Sequence, residues 1–142
     1  MENKVAALGA KKILIIDDDK VVLKAVSFLL GAKKYLVMTA ETGAEALSIL
    51  RRERPDLILL DLDFPPDIGN IGSTLRDGFL ILDWARRMGN AEKIPVIIVS
   101  ALDPEDYMER AQAHSIPTFF RKPVDKEKLL EAVHGVLADA PA

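Results

Sequence analysis

Short runs of aliphatic residues alternate along the chain with stretches whose apolar positions recur every three or four residues. The first kind reads as strand buried on both faces, the second as helix with one buried face. Lys12–Asp17 is the first strand, and Val21, Val22, Ala25, Val26, Leu29 and Leu30 then fall at helical spacing, with Gly31 as a stop. Tyr35–Thr39 is a short second strand. Thr42 followed by Glu45 has the spacing of a capping box and opens a helix with the apolar face Ala46, Leu47, Ile49 and Leu50, ending before Pro55. Asp56–Leu60 is the third strand. Residues 62 to 76, rich in Pro, Gly, Asp and Asn, read as a long loop. Phe79, Leu80, Leu82, Asp83, Trp84 and Met88 fit a third helix beginning after Asp77-Gly78. Pro95–Val99 is the fourth strand, Asp103-Pro104 opens a fourth helix, and Pro117–Phe120 is the fifth strand. Asp125 caps a last helix carrying Leu129, Leu130, Val133, Val136 and Leu137, and Ala138–Ala142 is expected to fray. Five alternations of strand and helix predict an α/β fold: one doubly wound, five-stranded parallel sheet with helices on both faces.

Composition narrows the function. A length of 142 residues suits one domain, and no second domain or output module fits in it. Nineteen basic against 22 acidic side chains give a net charge of −3, against a general nucleic-acid or membrane-surface binder. With no cysteine, disulfides, thiolate catalysis and Cys-ligated zinc are excluded. His114 and His134 lack metal-ligand spacing and read as surface residues. Arg51, Arg52, Arg54, Arg86 and Arg87 read as solvated helix ends, and Trp84 as core. No apolar run approaches the roughly 18 residues of a membrane helix, and Met1 to Ala10 lacks a signal peptide's apolar core. Cytoplasmic location without membrane insertion is the expectation.

The strand ends carry the chemistry. In an open parallel sheet, ligands bind at the carboxyl ends of the strands. Asp17-Asp18-Asp19 follows the first strand, Asp61 the third, Ser100 the fourth and, one residue on, Lys122-Pro123 the fifth. Clustered carboxylates repel unless a cation or proton neutralises them, and magnesium takes oxygen ligands while keeping waters. Asp19 reads as the cap of the first helix, leaving Asp17 and Asp18 for a metal. Asp61 can be a nucleophile that becomes an acyl phosphate or a carboxylate that caps a loop. The Lys122 ammonium can pair with Asp61 or a phosphate oxygen, and Pro123 holds the Lys122 backbone extended, with a cis junction open to it. Ser100 offers a hydroxyl to a phosphate oxygen or closes a turn.

Taken in order, Ile-Leu-Ile-Ile-Asp-Asp-Asp (13–19), Pro-Asp-Leu-Ile-Leu-Leu-Asp (55–61), Val-Ile-Ile-Val-Ser-Ala (96–101) and Phe-Phe-Arg-Lys-Pro (119–123) resemble the response-regulator receiver domain of two-component signalling, of the stand-alone chemotaxis-receiver type. The resemblance runs from about Lys11 to Leu137, between tails at 1–10 and 138–142. It implies the (βα)5 flavodoxin-like receiver fold with strand order 2-1-3-4-5. By it, Asp61 accepts a phosphoryl group from phosphohistidine on a sensor histidine kinase or phosphotransfer protein. Mg²⁺, with Mn²⁺ as substitute, is held by Asp18 and Asp61 directly, by Asp17 through water and by the backbone carbonyl of Asp63. Ser100 and Lys122 hold phosphoryl oxygens, and Phe119 is the switch aromatic. Asp63 and Leu102 tune phosphoryl lifetime. The surface of the fourth helix, fifth strand and fifth helix signals to an unidentified downstream protein, without direct nucleic-acid contact, from a monomer or weak homodimer. The domain accepts phosphate on itself and turns over no external substrate. Compared with the family, Asp-Gly comes late, at Asp77-Gly78. That implies an insertion of about nine residues at 67–76, and Phe64 stands where Met is usual before Pro65.

Two other readings compete. Asp61-Leu62-Asp63 resembles the nucleophile and general-acid pair of a haloacid-dehalogenase-like phosphatase, with Ser100 and Lys122 as further motifs. Against it, Pro65 replaces a Thr or similar group, the acidic pair precedes the nucleophile, and no cap fits in the length. A receiver-like module that binds without being phosphorylated is the other, disfavoured because every acceptor-site residue type is present.

Overall fold

In a computed structural model, the described residues are 9–63, 78–87 and 94–139. The elements, in chain order, are β1 (Lys12–Ile16), α1 (Lys20–Gly31), β2 (Leu36–Ala40), α2 (Gly43–Glu53), β3 (Leu57–Leu60), α3 (Phe79–Arg87), β4 (Val96–Ser100), a 3₁₀ turn (Pro104–Asp106), α4 (Met108–Ala113), β5 (Thr118–Arg121) and α5 (Lys126–Asp139). All strand pairings are parallel, in the order β2-β1-β3-β4-β5. The central pairings set Ile13 against Leu57 and Ile58 against Val96, and β5 lies with Phe119 against Ile98.

Side-chain alternation along these strands builds two cores. Leu14, Ile16, Ile58, Leu60, Val96 and Ile98 face one way, toward α2, α3 and α4. Ile13, Ile15, Leu57, Leu59, Ile97 and Val99 face the other, toward α1 and α5. Both faces of the three central strands β1, β3 and β4 are covered, so these have no alternating polar position.

Local signals set most boundaries. Asp19 accepts from the Val21 N–H at 2.9 Å and starts α1. Thr42 Oγ1 accepts from Glu45 N–H at 3.1 Å, while the Glu45 carboxylate reaches back to the Glu41 N–H, one residue earlier than an ideal box. Arg54 closes α2 in the left-handed region at φ +49°. Asp125 Oδ1 accepts from Glu127 and Lys128 N–H and caps α5.

The other strands shift by one residue at one or both ends, and three further boundaries differ from the sequence reading. β2 starts at Leu36, because the Tyr35 N–H closes a turn on Leu30 O and the Leu36 N–H is the first to reach Lys11 O. The pair Asp103-Pro104 opens a 3₁₀ turn, and α4 itself starts only at Met108, because Tyr107 leaves helical geometry to bury its ring. The last helix does not fray at Ala138 but continues through Asp139, its end anchored by buried Leu137. The expected insertion at 67–76, together with Phe64, Pro65, Asp77 and Met88, lies outside the described residues.

Candidate functional site

The parallel register carries the ends of β1 and β3 to one level. Asp17 N–H donates to Ala40 O at 3.1 Å and Asp61 N–H to Ile16 O at 3.0 Å, so each acid sits on the last rung of its ladder. Both side chains are buried, at 3% and 5% exposure. Their hydrogen bonding is the same. Asp17 Oδ1 accepts from Asp19 N–H at 2.9 Å, and Asp61 Oδ1 from Asp63 N–H at 3.0 Å, the turn a short acidic side chain makes with the backbone two residues on. The remaining oxygens meet the same ammonium: Lys122 Nζ donates to Asp17 Oδ2 at 2.7 Å and to Asp61 Oδ2 at 3.4 Å.

Lys122 reaches this point because its own N–H extends the β4–β5 ladder, donating to Ser100 O at 2.9 Å. The following bond to Pro123 is cis. Ser100 is fully buried, and its Oγ accepts from Leu102 N–H at 3.2 Å. Asp18 completes the acidic group, with carboxylate oxygens of Asp17, Asp18 and Asp61 all within 4.8 Å of one another.

Charge in this crevice is unbalanced. Burial, and then the charge of Asp17, push the Asp61 carboxyl up to about 6, against the opposing pull of Lys122 and the Asp63 N–H. Burial draws Lys122 down, but its bonds to Asp17 and Asp61 and their charges outweigh this and hold the ammonium above its ordinary value. One lysine therefore serves two buried carboxylates and does not neutralise both.

Asp17, Asp18, Asp61, Ser100 and Lys122 thus converge, and Asp63 lies beside them. Phe119 and Leu102 do not enter the acidic crevice. Both are half-buried against the α2–α3–α4 core, Phe119 with its ring at 86° to that of Tyr107 and 5.8 Å away. Sequence reading missed two neighbours of the site. Gly78 packs so closely that a Cβ there would stand 2.5 Å from Asp61 O, and its N–H donates to Leu62 O at 3.0 Å. Its place at a helix start was visible, but not its contact with the end of β3. Tyr107 left no mark beyond being an aromatic after Asp103-Pro104. His114 also corrects an expectation. It is no free surface residue: its ring stacks on Phe79 at 4.8 Å, Nε2 lies 2.9 Å from Asp83 Oδ1, and Arg86 donates to its carbonyl. His134 is exposed, as expected.

The model of the response regulator receiver domain family matches residues 13–134. Among curated proteins, the polar-differentiation response regulator DivK of Brucella anthropi is 28% identical over 130 residues, covering 92% of this chain and 98% of that protein. Protein PilH of Pseudomonas aeruginosa is 29% identical over 127 residues, covering 89% and 98%. Among solved structures, the chemotaxis protein CheY4 of Vibrio cholerae superposes with a TM-score of 0.78 at 25% identity, covering 91% of this chain and all of that one. A CheY-like receiver domain protein from Methanospirillum hungatei gives 0.78 at 25% identity, covering 92% and 96%. These matches lend the phosphatase reading no support. Sheet order, acidic crevice and family model agree, and the chain belongs to the response regulator receiver domain family, a phosphorylation-activated signalling switch.

Proposed function

We propose that Asp61 is the phosphoacceptor and that the groups around it act as follows. A carboxylate oxygen of Asp61 attacks the phosphorus of a phosphohistidine on a sensor kinase or phosphotransfer protein. The new O–P bond forms as the P–N bond breaks, and the imidazole leaves with that electron pair. Lys122 is placed to follow the phosphoryl oxygens as charge moves onto Asp61, because its Nζ already touches that side chain. The observation that carries the reading is this shared ammonium, set between two buried acids at the ends of β1 and β3.

The donor set fits a hard divalent cation: three carboxylates close together, one ammonium, and excess negative charge pressing on Asp61. Asp17, Asp18, Asp61 and the backbone carbonyl of Asp63 would hold Mg²⁺, or Mn²⁺ in its place. When bound, the ion supplies charge neutralisation between acceptor and phosphoryl oxygens. Asp63, whose N–H holds Asp61, and Leu102, whose N–H holds Ser100, would set how water reaches the acyl phosphate, one with a carboxylate and the other with an apolar side chain.

For the output, phosphorylation would draw Ser100 Oγ from Leu102 N–H to a phosphoryl oxygen, and Phe119 would turn toward the space this leaves. The α4–β5–α5 surface then reads out a shift between two populations. A donor protein would dock along α1, where an apolar groove lined by Ala25, Leu29 and Val124 runs toward the start of α5 and includes Lys122, and where Val21 and Phe28 are 76% and 81% exposed. Among the described residues no helix is long and apolar enough to cross a membrane.

The test is intact mass after incubation with acetyl phosphate and Mg²⁺, for wild type and Asp61→Asn. One hydroxylamine-labile phosphoryl adduct on wild type alone is expected. No adduct on either protein, with the donor unconsumed, would leave a module that binds without phosphorylation.

A further inference from the structure

Tyr107 is buried at 4% exposure, and its hydroxyl has no hydrogen-bond partner among the described residues. A buried, unpaired hydroxyl destabilises whatever arrangement holds it. The charges of Arg121 and Asp103 both act on this hydroxyl, after burial itself, yet neither group bonds to it. The ring stands edge-on to Phe119. The backbone at Tyr107 is the junction between the 3₁₀ turn and the six-residue helix α4, and no side chain caps that helix.

The segment from Leu102 to Tyr107 is therefore tied at both ends to the switch. At one end Leu102 N–H is held by Ser100 Oγ. At the other, the Tyr107 ring is held against Phe119. If Ser100 is drawn to phosphate and Phe119 turns, both restraints release together. Between them lie Asp103 and the 3₁₀ turn Pro104–Asp106.

We propose that Tyr107 is a positioning residue of the switch, whose unpartnered hydroxyl destabilises the resting arrangement of residues 102–107 and gains a partner when Phe119 turns, tilting the equilibrium toward the activated state. The proposal rests on the phosphoacceptor reading above. A ligand moves a two-state equilibrium only through its difference in affinity for the two states, so a residue that raises the resting state makes activation easier for any phosphoryl group.

The experiment compares wild type, Tyr107→Phe and, as a distant control, Tyr35→Phe. Thermal melts are recorded with Mg²⁺ across a titration of beryllofluoride, which mimics the acyl phosphate. Tyr107→Phe keeps the ring and removes the orphan oxygen. Without beryllofluoride its Tm is expected to rise by about 4 °C. Its half-saturating beryllofluoride concentration should rise about fivefold, and the beryllofluoride-induced gain in Tm should shrink, while Tyr35→Phe leaves half-saturation unchanged. A lower Tm for free Tyr107→Phe, or equal half-saturation in Tyr107→Phe and wild type, overturns the proposal alone. Absence of any Mg²⁺-dependent response in wild type overturns the phosphoacceptor reading and this inference with it.

Discussion

A buried carboxyl pushed up to about 6 has a definite consequence for stability. Unfolded, Asp61 titrates near 4. Between that pH and about 6 the native state keeps a proton that the unfolded chain has lost. The contribution of Asp61 is thus fully present below about pH 4 and lost as pH rises through about 6. Kept metal-free with EDTA, wild type should lose on the order of 2 kcal/mol relative to Asp61→Asn between about pH 4 and pH 7, read by urea denaturation. Parallel pH profiles for the two proteins would contradict the crowding of the acids. Lys122→Met is the complementary change. It leaves Asp17 and Asp61 buried without their shared cation and should destabilise the metal-free protein at neutral pH by about 3 kcal/mol. Added Mg²⁺ should raise the Tm of this variant more than that of wild type. Sequence showed which residues would meet, because strand ends in a parallel sheet converge. It did not show the division of labour between oxygens, Oδ1 to the backbone and Oδ2 to Lys122, which depends on turn geometry.

Among the elements, α3 depends most on a single atom-sized fit. Gly78 lies where a Cβ would press on the Asp61 carbonyl and Leu62 Cα, backbone atoms that cannot swing aside. Gly78→Ala should cost about 2 kcal/mol and, if Asp61 is the acceptor as proposed, slow phosphorylation by acetyl phosphate, since relief requires moving the end of β3. A variant with unchanged Tm and rate would show that the loop yields freely. At α5, Asp125→Ala should cost about 1 kcal/mol by freeing two backbone N–H groups, with little change in phosphorylation, as a denaturant midpoint and a rate would show. Caps such as Asp19, Thr42 and Asp125 were legible because their logic is confined to a few neighbouring residues. The split of the fourth helix was not, since it turns on Tyr107 burying its ring against β5, a contact between segments. For the same reason His114 gave no sign of its bonds to α3: Asp83 is 31 residues away along the chain.

At the scale of the molecule, the strand order puts β1 and β3 at the middle of the sheet with a core on each side. Leu14→Ala and Ile97→Ala, on opposite faces, should each cost about 2–5 kcal/mol, and their effects should add because the sheet separates them. The double variant, compared with the singles by denaturation, checks this. This architecture was the most legible part of the chain, since doubly buried strands announce themselves as unbroken aliphatic runs. The order of the strands also fixes a history. During synthesis β1, β2 and β3 emerge before β4 and β5, so Asp17 and Asp61 can be brought together while Lys122 is still being made. Until the last strand docks, the two acids have no ammonium between them, and protons or a divalent ion must stand in. The lysine that would later steady a phosphoryl group is then also the closing piece of assembly, and a nascent chain halted short of it should lean on magnesium to hold its first three strands.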